Sequence, residues 1–306
     1  MLKRISSYTF VLLVMVSVMS ACKKDYESAE SIDGKKIETY LSNNKINATK
    51  DPAGTGFYYQ IVQPGTGLNL FKDTDSVLYS VTVKSLLNGN TYFTSSTNAN
   101  LGTYVGYSSQ LLGINIKAIQ STLKLIKPGG SVRILVPSYL AFGKNGNSVL
   151  NIPSNELLDI VVSTYPETKQ VELDDRKIRE FIDAKGLSLT AKKDSVTGVY
   201  YIVTQAGTGT EVIDMASSLT LNYTARFFNG TVFDSTTDGT FKVELTGVID
   251  GWSVLKKFSK GTKVRLLVPS FRAYGTTGRT DQVTGATIIE RNANLDFEIE
   301  IADVVN

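Results

Sequence analysis

The sequence predicts an α+β protein made of two tandem modules, each an antiparallel β-sheet wrapped on a short α-helix. Three observations carry that prediction: an internal repeat, apolar residues alternating at period two, and Asn-Gly turn dipeptides between the alternating runs. Residues 132–143 read VRILVPSYLAFG and residues 264–275 read VRLLVPSFRAYG, an offset of 132. A second pair precedes it: Gly56-Phe57-Tyr58-Tyr59 answers Gly198-Val199-Tyr200-Tyr201 at an offset of 142, so the first copy carries the longer insertion. Two copies of a unit of about a hundred residues mean tandem domains, since a solenoid needs shorter and more numerous repeats.

The elements follow in order. Lys36-Ile37 through Leu41 and Lys177-Ile178 through Ile182 place apolar residues three to four apart, a helical period that gives each module a short leading helix. Lys185-Gly186 stops the second, because glycine accepts the left-handed cap. Leu219, Leu221 and Tyr223 alternate with polar residues, as do Leu295, Phe297, Ile299 and Ile301, the signature of half-buried strands. Asn88-Gly89 and Asn229-Gly230 mark hairpins. Residues 251–258 are the one helical candidate inside the second module.

Composition narrows the chemistry. The chain of 306 residues has no histidine, which removes imidazole bases, His-containing triads and imidazole metal ligands. No metal and no cofactor is expected. The formal charge is +3, and no run of Lys or Arg exceeds two, so nothing favours nucleic acid as a partner. The single cysteine, Cys22, excludes an internal disulfide.

That cysteine closes an N-terminal segment with the form of an export signal. Lys3 and Arg4 precede an apolar run over residues 10–19, and Met19-Ser20-Ala21 supplies small residues before Cys22. The segment resembles the bacterial lipobox, with Met19 where Leu is usual. The resemblance implies removal of residues 1–21, acylation of Cys22, and a protein of the bacterial cell envelope anchored to a membrane, the outer membrane on its periplasmic or surface side. Residues 22–50 are then expected to be a lipidated tether with a short helix, followed by a first module at 51–165, a linker helix at 166–188 and a second module at 189–306.

The second copy reads Tyr223, then Asn229-Gly230-Thr231-Val232-Phe233-Asp234-Ser235, Val248-Ile249-Asp250-Gly251-Trp252, Val268-Pro269-Ser270 with Ala273-Tyr274-Gly275, and Asn294-Leu295-Asp296-Phe297. This resembles the FKBP-type peptidyl-prolyl isomerases, and the resemblance covers about 115 residues twice. It implies a proline pocket with Trp252 as floor, Tyr223, Phe233, Phe241 and Phe297 as walls, and Val248 and Ile249 as rim. Tyr274 is expected to hydrogen-bond the substrate carbonyl, and Asp234 to meet both the strand tyrosine and the twisted amide. Ile288 and Ile289 stand in the late loop, residues 278–291, which in the family overhangs the pocket. Two departures stand out: no arginine lies between Asp234 and Phe241, and Ile288-Ile289-Glu290-Arg291 replaces the family's isoleucine-proline pair.

Such a pocket suits a chain without histidine. Rotation about an X-Pro bond faces a barrier of about 18–20 kcal/mol because amide resonance is lost midway, and no covalent bond breaks. A dry aromatic site favours the twisted amide over the planar one that water solvates well.

The first copy is expected to have lost this chemistry. Aligned on the repeat, Val81 stands for Tyr223, Thr94 for Asp234, Ile119 for Trp252, Ile160 for Phe297 and Phe142 for Tyr274. The resulting expectation is a prolyl isomerase that assists folding of exported, proline-containing or unfolded chains through its second module. The alternative is a non-catalytic peptide-binding, scaffold or chaperone lipoprotein that uses the same fold.

Overall fold

The computed structural model describes residues 27–306; the expected signal segment and Cys22 lie outside the described residues. Among the described residues no helix is long and apolar enough to cross a membrane. The chain opens with α1 (Ala29–Asn44), whose N-cap Ser28 accepts a hydrogen bond from the Ser31 N–H and which ends at a left-handed Lys45. Strands β1 (Thr49–Lys50), β2 (Tyr58–Gln63), β3 (Ser76–Ser85), β4 (Thr91–Thr94) and β5 (Leu101–Tyr104) lead to helix α2 (Lys117–Leu123). Strands β6 (Ser131–Val136) and β7 (Leu158–Thr164) complete an antiparallel sheet of order β1-β2-β6-β7-β3-β4, with β5 also paired to β3.

Helix α3 (Gln170–Ala184) precedes the second sheet, and Gly186 at φ 66° follows its end as the sequence predicts. The sheet comprises β8 (Lys192–Lys193), β9 (Tyr200–Gln205), β10 (Ser218–Phe227), β11 (Val232–Glu244), β12 (Lys263–Val268) and, after the short hairpin β13 (Arg279–Thr280) and β14 (Thr287–Ile289), β15 (Leu295–Val305). Its order, β8-β9-β12-β15-β10-β11, reproduces that of the first. The β10–β11 hairpin turns at Asn229-Gly230 with Gly230 at φ 91°, and Phe227 donates its N–H to the Thr231 carbonyl. The predicted helix at 251–258 is a 3-10 helix, Asp250–Lys257. Gly251 is required there, since a Cβ would lie 2.4 Å from Val268 Cγ1 on β12.

Period two explains why both faces of each sheet are covered. On β6, Ile134 joins the core built with Ile119 and Leu123 of α2, whereas the next residue, Leu135, packs with Ile37 of α1. On β12, Leu266 packs in the core that contains Trp252, and Leu267 packs with Ile178, Phe181 and Ile182 of α3. The leading helices expected at residues 22–50 and 166–188 both pack on the sheets. Each covers one face of its sheet.

The same helices explain much of the repeated sequence. Asp33, buried in α1, accepts hydrogen bonds from the Ser138 N–H (2.8 Å) and hydroxyl (2.6 Å). In the second module Asp174 of α3 accepts from the Ser270 hydroxyl at 2.7 Å. Arg133 forks onto Asp159 at 2.9 and 2.8 Å, and Arg265 onto Asp296 at 2.8 and 2.7 Å. The Val-Arg and Pro-Ser of the repeat are thus devices for sheet and helix docking, common to both copies.

Candidate active site

One cavity of about 480 Å³ in the second module is lined by Tyr223, Phe233, Asp234, Phe241, Val248, Ile249, Trp252, Tyr274, Arg279 and Phe297, with Gly247 at its edge. Tyr223 reaches it because β10 turns every second residue inward, and Phe297 comes from the neighbouring β15, where Ala225 pairs with Phe297 and Tyr223 with Ile299. Phe233 and Asp234 enter from the start of β11, Asp234 opposite Ala225. Val248 and Ile249 approach the 3-10 helix that carries Trp252, and Tyr274 follows the turn after Pro269-Ser270.

The aromatic rings meet edge to face, the arrangement their quadrupoles favour. The Trp252 ring lies 5.3 Å from Tyr223 at 73°, 5.4 Å from Phe297 at 89° and 6.4 Å from Phe241 at 84°. Trp252 is 4% exposed, so the floor of the cavity is also core, and its indole Nε1 is buried without a hydrogen-bond partner. The Tyr223 hydroxyl donates to Asp234 Oδ2 at 3.0 Å. Burial, then the hydrogen bond to Asp234 and that carboxylate's charge, push the Tyr223 hydroxyl up to about 12, against the opposing pull of Arg279. It therefore stays a neutral donor and holds Asp234 in place at the rim of an apolar chamber.

Nine of the eleven expected pocket residues converge here, and two do not. Ile289 is 1% exposed and belongs to the core; it faces a separate cleft between the modules, with Phe93, Ala99 and Leu101 of the first. Ile288 is half-buried against the same core and does not line the pocket. Residues 279–280 and 287–289 pair as a hairpin in which Arg279 lies opposite Ile289, and of these residues only Arg279 lines the pocket. Arg279 carries no periodic signal in the sequence. It brings from the late loop a cation absent between Asp234 and Phe241.

The first module brings no such set together. Val81, Ile119 and Ile160 are 2% exposed or less, and Phe142 is 9% exposed, all within one apolar core. The expected match of Thr94 with Asp234 is off by one residue. Val83, the counterpart of Ala225, pairs with Phe93, so a phenylalanine stands at the acid's place in the register.

Behind the floor, Asp194 ties the turn before β9 to the helix bearing Trp252. Its Oδ1 accepts from the Thr197 N–H and hydroxyl, each at 2.7 Å, and its Oδ2 pairs with Lys257. Burial raises its pKa, but the Lys257 ammonium and the Thr197 donors outweigh burial and hold the carboxyl at about 2 instead of 3.8. A depressed folded pKa contributes stability that is present above the unfolded value and lost as pH falls through it toward 2, about 2 kcal/mol in all. Asp194→Asn should remove that contribution at pH 7 and flatten the decline between pH 4 and 2. Urea unfolding at pH 7 and pH 3 measures both.

Comparison with known proteins bears on the same module. Residues 209–302 match the family model described as FKBP-type peptidyl-prolyl cis-trans isomerase. The FKBP-type isomerase FkpA of Buchnera aphidicola (strain APS) is 33% identical over 132 residues, 42% of this chain and 49% of the relative. FkpA of Escherichia coli K12 is 36% identical over 115 residues, 37% of this chain and 40% of the relative. The chain thus spans about half or less of the length of these curated relatives. Among solved structures, a peptidyl-prolyl isomerase from Pseudomonas syringae pv. tomato aligns over 44% of this chain and 96% of its own, with 29% identity and a TM-score of 0.38. The crystal structure of Escherichia coli FkpA aligns over 44% and 61%, with 31% identity and a TM-score of 0.37.

Proposed function

We propose that this chain, whose second module belongs to the FKBP-type peptidyl-prolyl isomerase family, catalyses cis–trans isomerisation of X-Pro bonds in peptides and unfolded exported proteins. The observation that carries the proposal is the convergence of Tyr223, Asp234, Trp252, Tyr274 and Phe297 on one cavity of about 480 Å³. The prolyl ring packs on the Trp252 indole between Tyr223, Phe233, Phe241 and Phe297, with Val248 and Ile249 at the entrance. Tyr274 donates its hydroxyl to the substrate carbonyl. Asp234, held by Tyr223, faces the amide as its resonance and dipole diminish in the twisted state. The chamber lowers the barrier by favouring that less polar amide, a differential stabilisation that needs no proton relay.

The proposal divides the chain at its helices: an isomerase module from α3 to the C-terminus, and a first module beginning at α1 that does no chemistry. The test is proline-limited refolding of a substrate protein with the wild-type chain, with a variant carrying Tyr223→Val and Phe297→Ile, and with one carrying Val81→Ala and Ile160→Ala. The first variant places the first module's residues in the second module's pocket and should abolish acceleration. The other should keep it. Equal loss in both, with the first module still folded by urea unfolding, would place the activity elsewhere.

The same proposal places the protein in a bacterial cell envelope, held to a membrane by acylated Cys22. Its support is the lipobox-like segment, with the chain's only cysteine at the processing position. Several buried acyl chains give stable anchoring at about 0.8 kcal/mol per methylene. Cys22→Ser should move the protein to the soluble fraction with both modules folded; continued membrane association would remove the anchor from the proposal.

A further inference from the structure

The first module has lost the pocket aromatics, yet the segment that interrupts its outer strand makes the contacts that hold the second module's pocket turn. In the second module β11 runs unbroken from Val232 to Glu244, whereas in the first the equivalent strand is split into β4 and β5 by residues 95–100. Ser95 still pairs with Val81 of β3, but residues 98–100 leave that sheet and dock on the second module. Ala99 is 5% exposed within the core that contains Trp252, and Asn100 is 2% exposed. Lys177 Nζ of α3 donates to the Ala99 carbonyl at 3.3 Å, and Asn229 in the hairpin before Phe233 donates its N–H to Asn98 Oδ1 at 3.2 Å.

Asn100 is the centre of this contact because it reaches the turn bearing Tyr274 along two routes. On one side its amide exchanges a reciprocal pair of hydrogen bonds with Gln170, at 2.9 and 3.1 Å. Gln170 then donates to Asp174 Oδ1 at 2.7 Å, and Asp174 Oδ2 accepts from the Ser270 hydroxyl that opens the turn. On the other side the Asn100 carbonyl accepts from Asn292 Nδ2 at 3.1 Å, and the Asn292 N–H donates to the Gly275 carbonyl at 2.7 Å. Gly275 in turn donates its N–H to the Ser270 carbonyl, so both routes close on residues 270–275. The first module's own turn has no counterpart to the first route, since Ala29 occupies the place in α1 that Gln170 occupies in α3.

We propose that Asn100 is a positioning residue for the second module's pocket: it fixes the Ser270–Gly275 turn and thereby the Tyr274 hydroxyl, which makes the first module part of the isomerase unit. The inference rests on the isomerase assignment for its effect on rate, but its geometric content does not. The Asn100 and Gln170 amides pair reciprocally, and a buried pairing of that kind holds its members in one arrangement, although Asn292 Oδ1 on the other route is left without a partner. A donor displaced by about 1 Å at a reacting group can cost up to about a hundredfold in rate.

The test uses the full chain with Asn100→Ala, which breaks the Gln170 pair, with Asn292→Gly, and with the two combined. Asn292 has φ 60°, so glycine there removes the side-chain donor without straining the backbone. Catalysis is read on a prolyl tetrapeptide too short to span the modules, alongside urea unfolding and acrylamide quenching of Trp252, the only tryptophan. We expect kcat/KM to fall about threefold in each single variant and about tenfold in the double, mostly in kcat, with Trp252 more readily quenched. A lower urea midpoint with wild-type kcat/KM and wild-type quenching in the folded protein would overturn the proposal, since that is the signature of a purely structural contact. Should the double variant not fold, Asn100→Ala alone decides by the same criteria. A wild-type chain without isomerase activity would sink the functional proposal, and quenching of Trp252 in the variants would still decide this one.

Discussion

Trp252→Leu should lower both stability and catalysis, each by a measurable amount on the same protein. The indole is 4% exposed and is shared between the core around Leu221, Leu255 and Leu266 and the cavity below Tyr223 and Phe297. Replacing it with leucine leaves a void, and large-to-small core changes cost about 2–5 kcal/mol. A pocket floor open to solvent would cost much less, since little apolar surface would be removed from burial. Catalysis should fall about tenfold to a hundredfold at saturating folded protein, because the aromatic surface contacting the prolyl ring is lost; about 1.4–2.8 kcal/mol of barrier corresponds to that range. Urea unfolding and a prolyl-peptide assay on the folded variant separate the two effects. Wild-type kcat/KM in the folded mutant would leave the pocket without its floor.

The outline of the molecule was legible from the residues because its signals are local. Alternating runs such as Leu219-Leu221-Tyr223 became β10, and the two Asn-Gly dipeptides became hairpin turns. The pocket was legible too, since its walls lie on strands whose inward positions are aromatic in one copy and aliphatic in the other. What escaped has no local signature. Arg279 reaches the cavity from a two-strand hairpin, and Ile289, opposite it in that hairpin, belongs to the core. The pairing of Phe93 opposite Val83 depends on a register irregularity between Val83 and Lys84 that no motif announces. The roles of Asp33 and Asp174 were within reach, because each stands at the same place before Lys36-Ile37 and Lys177-Ile178, but a buried aspartate in a polar helix looks like any solvated charge until its serine partner is seen. Docking of residues 98–100 on the second module is a long-range event, joining positions up to 192 apart in the chain.

Arg265→Met should be among the most destabilising single substitutions in the second module, at about 3–5 kcal/mol, because it leaves the Asp296 carboxylate buried and unpaired. The Asp296 side chain is 3% exposed, and both its oxygens are taken by the Arg265 fork. The guanidinium also lies 5.5 Å from the Phe181 ring centroid of α3, so its loss loosens the helix as well as the sheet. The first module provides an internal control. Arg133 forks onto Asp159 and lies 5.9 Å from the Tyr40 ring centroid in α1, but the Asp159 side chain is 15% exposed. Water can partly solvate that carboxylate, so Arg133→Met should cost less than Arg265→Met. Arg265→Lys should fall between wild type and Arg265→Met, since a lysine restores charge without the planar fork. Adding Asp296→Leu to Arg265→Met should recover most of the loss, because the cost lies in the stranded charge and not in the missing attraction. Asp296 immediately precedes Phe297 on β15 and points to the opposite face of the sheet, so the folded double variant should keep an intact pocket wall and nearly wild-type kcat/KM. Urea midpoints for the four variants and peptide assays on the double one test this ordering, and an Arg265→Met cost no larger than that of Arg133→Met would refute it.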